Sequence, residues 1–132
     1  MKINFKSTRT EHNDEPKIIE FTSRVDIEKE DDDFIALTFD ENRNGKIITN
    51  RIEYNFDTLR IYSGVSSIQC KLNEIIKNNF VVDDIKTNFY IYTKMINIDI
   101  SNKNDLVFEY FVSPDSDFNQ STKIKLELTI KE

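Results

Sequence analysis

Several residue types are nearly missing from this sequence: one Cys, one His, no Trp, two Gly and two Pro in 132 residues. The single Cys70 cannot form an internal disulfide, and it lies in an apolar run, so we read it as a buried reduced thiol. One Cys and one His are too few for the common structural zinc sites, and no metal or cofactor is expected. Gly45 and Gly64 are too few for a glycine-rich phosphate loop. His12 is the only histidine and sits in the polar stretch Glu11–Glu15. A catalytic triad or dyad needs a base held rigidly against its nucleophile, so His12 reads as an ordinary loop residue and no catalytic residue is assigned. The N-terminus lacks a charged-then-apolar leader, and no apolar run reaches membrane-spanning length, so we expect a soluble cytoplasmic protein with no membrane association. A basic surplus is missing too. With 18 Lys and Arg against 24 Asp and Glu the net charge is −6, and the lysines are dispersed, so nucleic-acid binding is not expected.

What is present is alternation. From Lys123 to Glu132 the chain places Ile124, Leu126, Leu128 and Ile130 on one face and Lys123, Lys125, Glu127, Thr129 and Lys131 on the other, as an antiparallel strand with one dry and one wet face does. Similar stretches run over Lys2–Thr10, Lys17–Lys29, Phe34–Asp40, Lys46–Phe56, Thr58–Ser63, Ser66–Asn73, Asn79–Asp84, Phe89–Ile100 and Asp105–Val112. In Lys46–Phe56 the expected inward set is Ile48, Ile52, Tyr54 and Phe56. Asn44-Gly45, Ser63-Gly64 and Asn102–Asn104 are turn signals between them, and Pro114 lies in a longer loop. Helical periodicity is confined to Leu72, Ile75 and Ile76, enough for one or two turns. No segment is long enough for a crossover helix, which argues against a parallel sheet. The richness in Ile, Asn and Lys suits an AT-rich bacterial genome.

We therefore expect an all-β fold in a single domain, residues 1–132. Eight to ten antiparallel strands must hide one apolar face each and manage their edges, which a sandwich or a closed barrel achieves. Long strands joined by short hairpins favour the barrel, in up-and-down order.

Lys94 is the residue that breaks the pattern. In strict register, Phe89–Ile100 places Tyr90, Tyr92, Lys94, Ile96, Ile98 and Ile100 on one face. Lys94 then points inward beside Tyr92, with Tyr54 and Tyr110 on the inward faces of their own strands. Such a lysine among phenols would take a small anionic, partly apolar molecule. The competing reading is a β-bulge near Thr93–Met95 that turns Lys94 to solvent, and it carries more weight because an unpaired buried ammonium is costly. The acidic cluster Glu28, Glu30, Asp31, Asp32 and Asp33 lacks the spacing and glycine of a calcium loop and reads as a solvated turn, as do Asp83-Asp84 and Asp115/Asp117.

Leu59-Arg60-Ile61-Tyr62-Ser63-Gly64, Ile68-Gln69-Cys70-Lys71-Leu72, Thr87, Ile91-Tyr92-Thr93-Lys94 and the final alternating strand together resemble the YwiB family of bacterial proteins over residues 59–132. The region Ile85–Tyr90 keeps the threonine of the family's pattern without its proline and glycine, and Tyr62 stands where an arginine is common. The resemblance implies a calycin-like (lipocalin-like) β-barrel and carries no assigned activity. Two functions stay open: a non-enzymatic module binding a small partly apolar or anionic ligand through Tyr54, Tyr92, Lys94 and Tyr110, and a structural or regulatory domain with a filled barrel that meets a protein partner or a second copy of itself.

Overall fold

The structure, a computed structural model, describes residues 1–81 and 88–132. It contains ten strands: β1 (Lys2–Thr10), β2 (Lys17–Lys29), β3 (Ile35–Arg43), β4 (Lys46–Tyr54), β5 (Thr58–Ser63), β6 (Ser66–Lys71), β7 (Ile75–Val81), β8 (Asn88–Asn102), β9 (Asp105–Ser113) and β10 (Thr122–Lys131). All are antiparallel to their neighbours, in the order β6-β5-β4-β3-β2-β1-β10-β9-β8-β7. The expected up-and-down meander is therefore present, with β10 returning to pair β1 and the two ends of the sheet, β6 and β7, left to meet. Among the described residues no helix is long and apolar enough to cross a membrane.

Alternation places the core as the sequence implies. Leu126, Leu128 and Ile130 of β10 are buried beside Ile3, Leu37, Ile52, Leu59, Met95, Leu106 and Phe108, all in one cluster. Two details differ from expectation. Leu72, Ile75 and Ile76 do not form a helical turn: Asn73 takes a positive φ of 61°, the chain reverses there, and β7 begins at Ile75. Phe56 is not inward but exposed, because the Asn55 side-chain oxygen accepts hydrogen bonds from the Asp57 and Thr58 amides (3.1 and 2.9 Å) and ends β4 at Tyr54. The acidic cluster is the exposed turn expected: Asp31–Asp33 form a 3-10 turn after Glu30, which pairs with Arg51. Of the stretch Asn79–Asp84, Val82–Asp84 lie outside the described residues, as do Ile85–Thr87.

The sheet closes at β6 and β7 without a regular ladder. One isolated bridge, Lys71 with Glu74, lies in the turn between them, and side chains take over the pairing. Asn78 acts as a stand-in peptide: its Oδ1 accepts from the Gln69 amide at 2.8 Å and its Nδ2 donates to the Gln69 carbonyl at 3.2 Å. The Thr93 hydroxyl donates to the same carbonyl at 2.6 Å and accepts from Asn78 Nδ2 at 3.1 Å. Both side chains are buried. Backbone contributes just past β6, where the Asn73 amide donates to the Met95 carbonyl of β8 at 2.9 Å, and the buried Asn and Thr close the rest of the seam.

A second irregularity lies at β2. Its first part, Lys17–Arg24, pairs only with β1, and its last part, Val25–Lys29, pairs only with Ile35–Phe39 of β3. β2 is thus a corner strand that passes from one half of the sheet to the other. Each half of β2 has one bare edge, and an interior cavity opens beside each.

Candidate functional site

The middle of the barrel is solid. Phe108, Ile3, Leu37, Ile52, Leu59, Met95, Leu106 and Leu128 fill it with side chains less than 2% exposed, and two cavities lie towards the two ends.

At one end a cavity of about 310 Å³ is lined by Ile27, Ile35, Leu37, Ile130 and Tyr54, with Lys103, Asn104, Met1 and Glu132 at its rim. It lies beside the last part of β2. The β8–β9 turn forms part of the rim and is fixed there by a 2.8 Å bond from the Ile130 amide to the Asn104 carbonyl. Tyr54 is 3% exposed and its ring meets Phe108 edge-on at 5.6 Å. Its hydroxyl bonds to none of the described residues and keeps some accessible surface, so it faces the cavity. Burial raises its pKa above the ordinary phenol value, and the group is a neutral donor. Lys103 has no ion pair among the described residues.

At the other end a cavity of about 170 Å³ is lined by Phe5, Ile19, Phe39, Ile52, Ile124, Leu126 and Tyr110, with Glu41, Arg43 and Asn50 above them. Arg43 grips Glu41 through Nε (3.3 Å) and Nη2 (2.9 Å), and Asn50 Nδ2 donates to the same carboxylate at 3.2 Å. Tyr110 is 3% exposed. Burial raises its pKa, the neighbouring Cys70 adds to the rise, and Arg9 opposes it. Cys70 itself is fully buried and its thiol is pushed up to about 12, mainly by desolvation and against a lowering interaction with the Thr93 side chain.

The four residues singled out in the sequence do not converge. Tyr54 and Tyr110 are interior, at opposite ends of the barrel. Tyr92 and Lys94 lie on the outer face of β8, opposite Lys77 and Ile75 of β7 and Ser113 and Phe111 of β9. The register of β8 against β9 shifts between Met95 and Asn97. Thr93 and Met95 therefore point inward at 0% exposure, Ile96 is the extra residue, and Ile98 returns to the core side opposite Phe108. The bulge is the second of the two readings given above, and it spares the barrel a buried ammonium. Lys94 instead borders an outer groove of about 420 Å³ with Ile75, Ile96, Phe111 and Phe118. His12 is exposed in the β1–β2 turn. Sequence reasoning missed Lys103, Asn104, Glu41, Arg43 and Asn50. The only signal for the last three was polarity at inward positions of β3 and β4.

No protein-family model matches the sequence, and no curated protein matches it either. Among solved structures, the chain is similar to the YwiB protein from Bacillus subtilis, with a TM-score of 0.69 and 7% identity over 99% of this chain and 91% of the other. The likeness spans the whole chain rather than residues 59–132 alone, and at that identity it speaks for the fold.

Proposed function

We propose that this chain is a non-enzymatic binding protein of the cytoplasm that takes a small, partly apolar molecule with an anionic group into the cavity at the Tyr54 end. The observation that carries the reading is the Tyr54 hydroxyl: un-ionised at the tip of a buried ring, without a partner among the described residues, and open to a cavity of about 310 Å³. Buried polar groups in folded proteins are normally bonded, so a phenol left open to a cavity is suited to orient an incoming acceptor. Ile27, Ile35, Leu37 and Ile130 supply apolar walls, and Lys103, without an ion pair among the described residues, a cation at the rim. The cavity suits the compound class expected from the sequence, with Lys103 in the place that Lys94 does not take. Nothing in it resembles a nucleophile activated by a base, so the reading is binding and not catalysis.

Native mass spectrometry of the protein purified from its own host tests this by reporting any retained small molecule. A panel of aliphatic and aromatic carboxylates should raise the melting temperature of the parent protein. Tyr54→Phe, which keeps the ring against Phe108, should fold normally, weaken the affinity by a factor of about 5–30 through the loss of one hydrogen bond worth about 1–2 kcal/mol, and so give a smaller shift at the same ligand concentration. No retained mass, no stabilising carboxylate, or equal shifts for parent and Tyr54→Phe would refute it.

A further inference from the structure

We propose that the cavity at the Tyr110 end is a second ligand site, which takes a small neutral aromatic molecule carrying one hydroxyl group. It does not depend on the reading of the Tyr54 end. Two buried polar groups on its wall have unused hydrogen-bonding capacity. Tyr110 is 3% exposed, its hydroxyl bonds to none of the described residues, and the oxygen keeps accessible surface. The ring lines the cavity of about 170 Å³, so the hydroxyl opens to it. Burial keeps this phenol un-ionised, a donor. Asn50 lines the same cavity at 7% exposure. Its Nδ2 donates to Glu41 at 3.2 Å, while its Oδ1 accepts from none of the described residues. Buried polar groups are normally bonded, so a donor and an acceptor left open to one space suit a partner that both accepts and donates. A hydroxyl does both.

The remaining walls define the body of the ligand. Phe5, Phe39, Ile52 and Leu126 are apolar, and the two rings belong to a cluster: Phe5 meets Phe39 at 5.7 Å, and Phe21 stands 5.0 Å from the first and 6.0 Å from the second. Water needs about two to four polar partners, so it suits the Tyr110 and Asn50 wall and not the apolar remainder. An apolar cavity of about 150 Å³ holds benzene, so this one has room for a single ring. A flat ring can join Phe5 and Phe39 in the offset or edge-on contacts that aromatic pairs prefer. Charge disfavours ions of either sign. Glu41 and Arg43 are the charged lining residues, and they are bonded to each other at 2.9 and 3.3 Å. A carboxylate would sit near Glu41, and an ammonium near Arg43. Arg9, the cation that bears on Tyr110, is likewise paired, with Glu11 at 3.3 Å. The two ends of the barrel therefore differ. Lys103 at the Tyr54 end has no ion pair among the described residues, whereas the ions lining the Tyr110 end are matched.

The test titrates phenol, benzoate and benzylamine separately into the full chain at neutral pH, followed by calorimetry and by methyl and amide NMR. Saturable binding of phenol is expected, with a dissociation constant on the order of a millimolar or tighter. Benzoate and benzylamine should bind roughly tenfold more weakly or worse, and the phenol shifts should centre on Ile52, Tyr110 and Leu126. Tyr110→Phe keeps the ring and should fold normally while weakening phenol roughly fivefold, the loss of one hydrogen bond. Ser7→Phe, at a half-buried lining position, should fill the space and abolish binding, which keeps the test decisive should the other variant not fold. Tyr54→Phe should leave phenol binding unchanged, so the two ends stand or fall separately. Absence of saturable binding would mean a cavity that holds water only, and would overturn the proposal. Equal affinity for the three probes, unchanged affinity in Tyr110→Phe, or shifts centred on the Tyr54 cavity would overturn it as well.

Discussion

Replacing Asn78 by alanine tests whether side chains truly close this barrel. Asn78 Oδ1 accepts from the Gln69 amide at 2.8 Å, and Nδ2 reaches the Gln69 carbonyl at 3.2 Å and the Thr93 hydroxyl at 3.1 Å. Without it the Gln69 N–H loses its partner in a buried seam, at a cost of about 1–3 kcal/mol. The carbonyl keeps the Thr93 bond, so its loss is smaller, and the sum is about 2–4 kcal/mol. For a domain of this size that lowers the urea midpoint by about 1–2 M. The neighbouring Asn79 is exposed, and Asn79→Ala should change stability by less than about 0.5 kcal/mol. Asn78→Asp adds a sign. It keeps the acceptor but sets a buried carboxylate against the Gln69 carbonyl, which raises its folded pKa above the unfolded value of about 3.9. That variant is therefore near its most stable below the unfolded pKa and weakens as pH rises through the folded one. Urea titration gives the free energies, and hydrogen exchange at the Gln69 amide reports the seam itself. A cost below about 0.5 kcal/mol for Asn78→Ala, or unchanged protection of Gln69, would show that the seam is held by something else.

Three further outcomes follow from the same geometry. Deleting Ile96 removes the extra residue of the β8 bulge, leaving Met95 inward, Asn97 outward and Ile98 inward in plain alternation. The protein should fold with a loss within about 1 kcal/mol and Lys94 still open to amine acetylation, and protection of Lys94 would refute the register. Cys70, pushed up to about 12 by burial, should be inert to thiol reagents at neutral pH unless the barrel unfolds; rapid labelling of the native protein would contradict its placement. In alkali the unfolded chain loses protons from this thiol and from Tyr54 and Tyr110 before the folded chain does, since burial raises all three. Stability should therefore fall as pH rises above about 8.5, the unfolded thiol value, and Tyr110→Phe should flatten that decline in urea titrations at stepped pH; an unchanged slope would argue against a buried phenol.

The fold was legible because its main signal is local. Alternation of period two is written residue by residue, so Lys2–Thr10, Lys17–Lys29 and Thr58–Ser63 coincide with β1, β2 and β5. The misjudged places are those where a single residue resets the pattern. Asn55 turns the chain before Phe56 can take its inward place, and Asn73 reverses it in the left-handed region, so the spacing of Leu72, Ile75 and Ile76 belongs to two strands and not to a helix. In β8 both registers look plausible from sequence: Ile96, Ile98 and Ile100 favour one, Thr93 and Met95 the other. Only Phe111, Tyr110 and Glu109, lined up opposite, show that the strand uses both with Ile96 as the pivot.

The cavities were illegible for a different reason. Each lies beside a half of β2 that lacks a neighbour, and which strand a given edge meets is a property of the whole sheet. Ile19 and Ile27 read identically as inward apolar residues of one strand, yet they line cavities at opposite ends because β2 changes partner between Arg24 and Val25. The same logic governs the polar residues inside. Glu41, Arg43 and Asn50 occupy inward positions near the ends of β3 and β4, where hydrophobic residues would be expected in a barrel filled from end to end. Their mutual bonds permit them there, and they mark where the packed middle gives way to an opening. In a barrel of this kind a polar residue at an inward position is therefore better evidence for an open end than an irregular one on the outer wall, and Lys94, for all its prominence in the sequence, belongs to the wall.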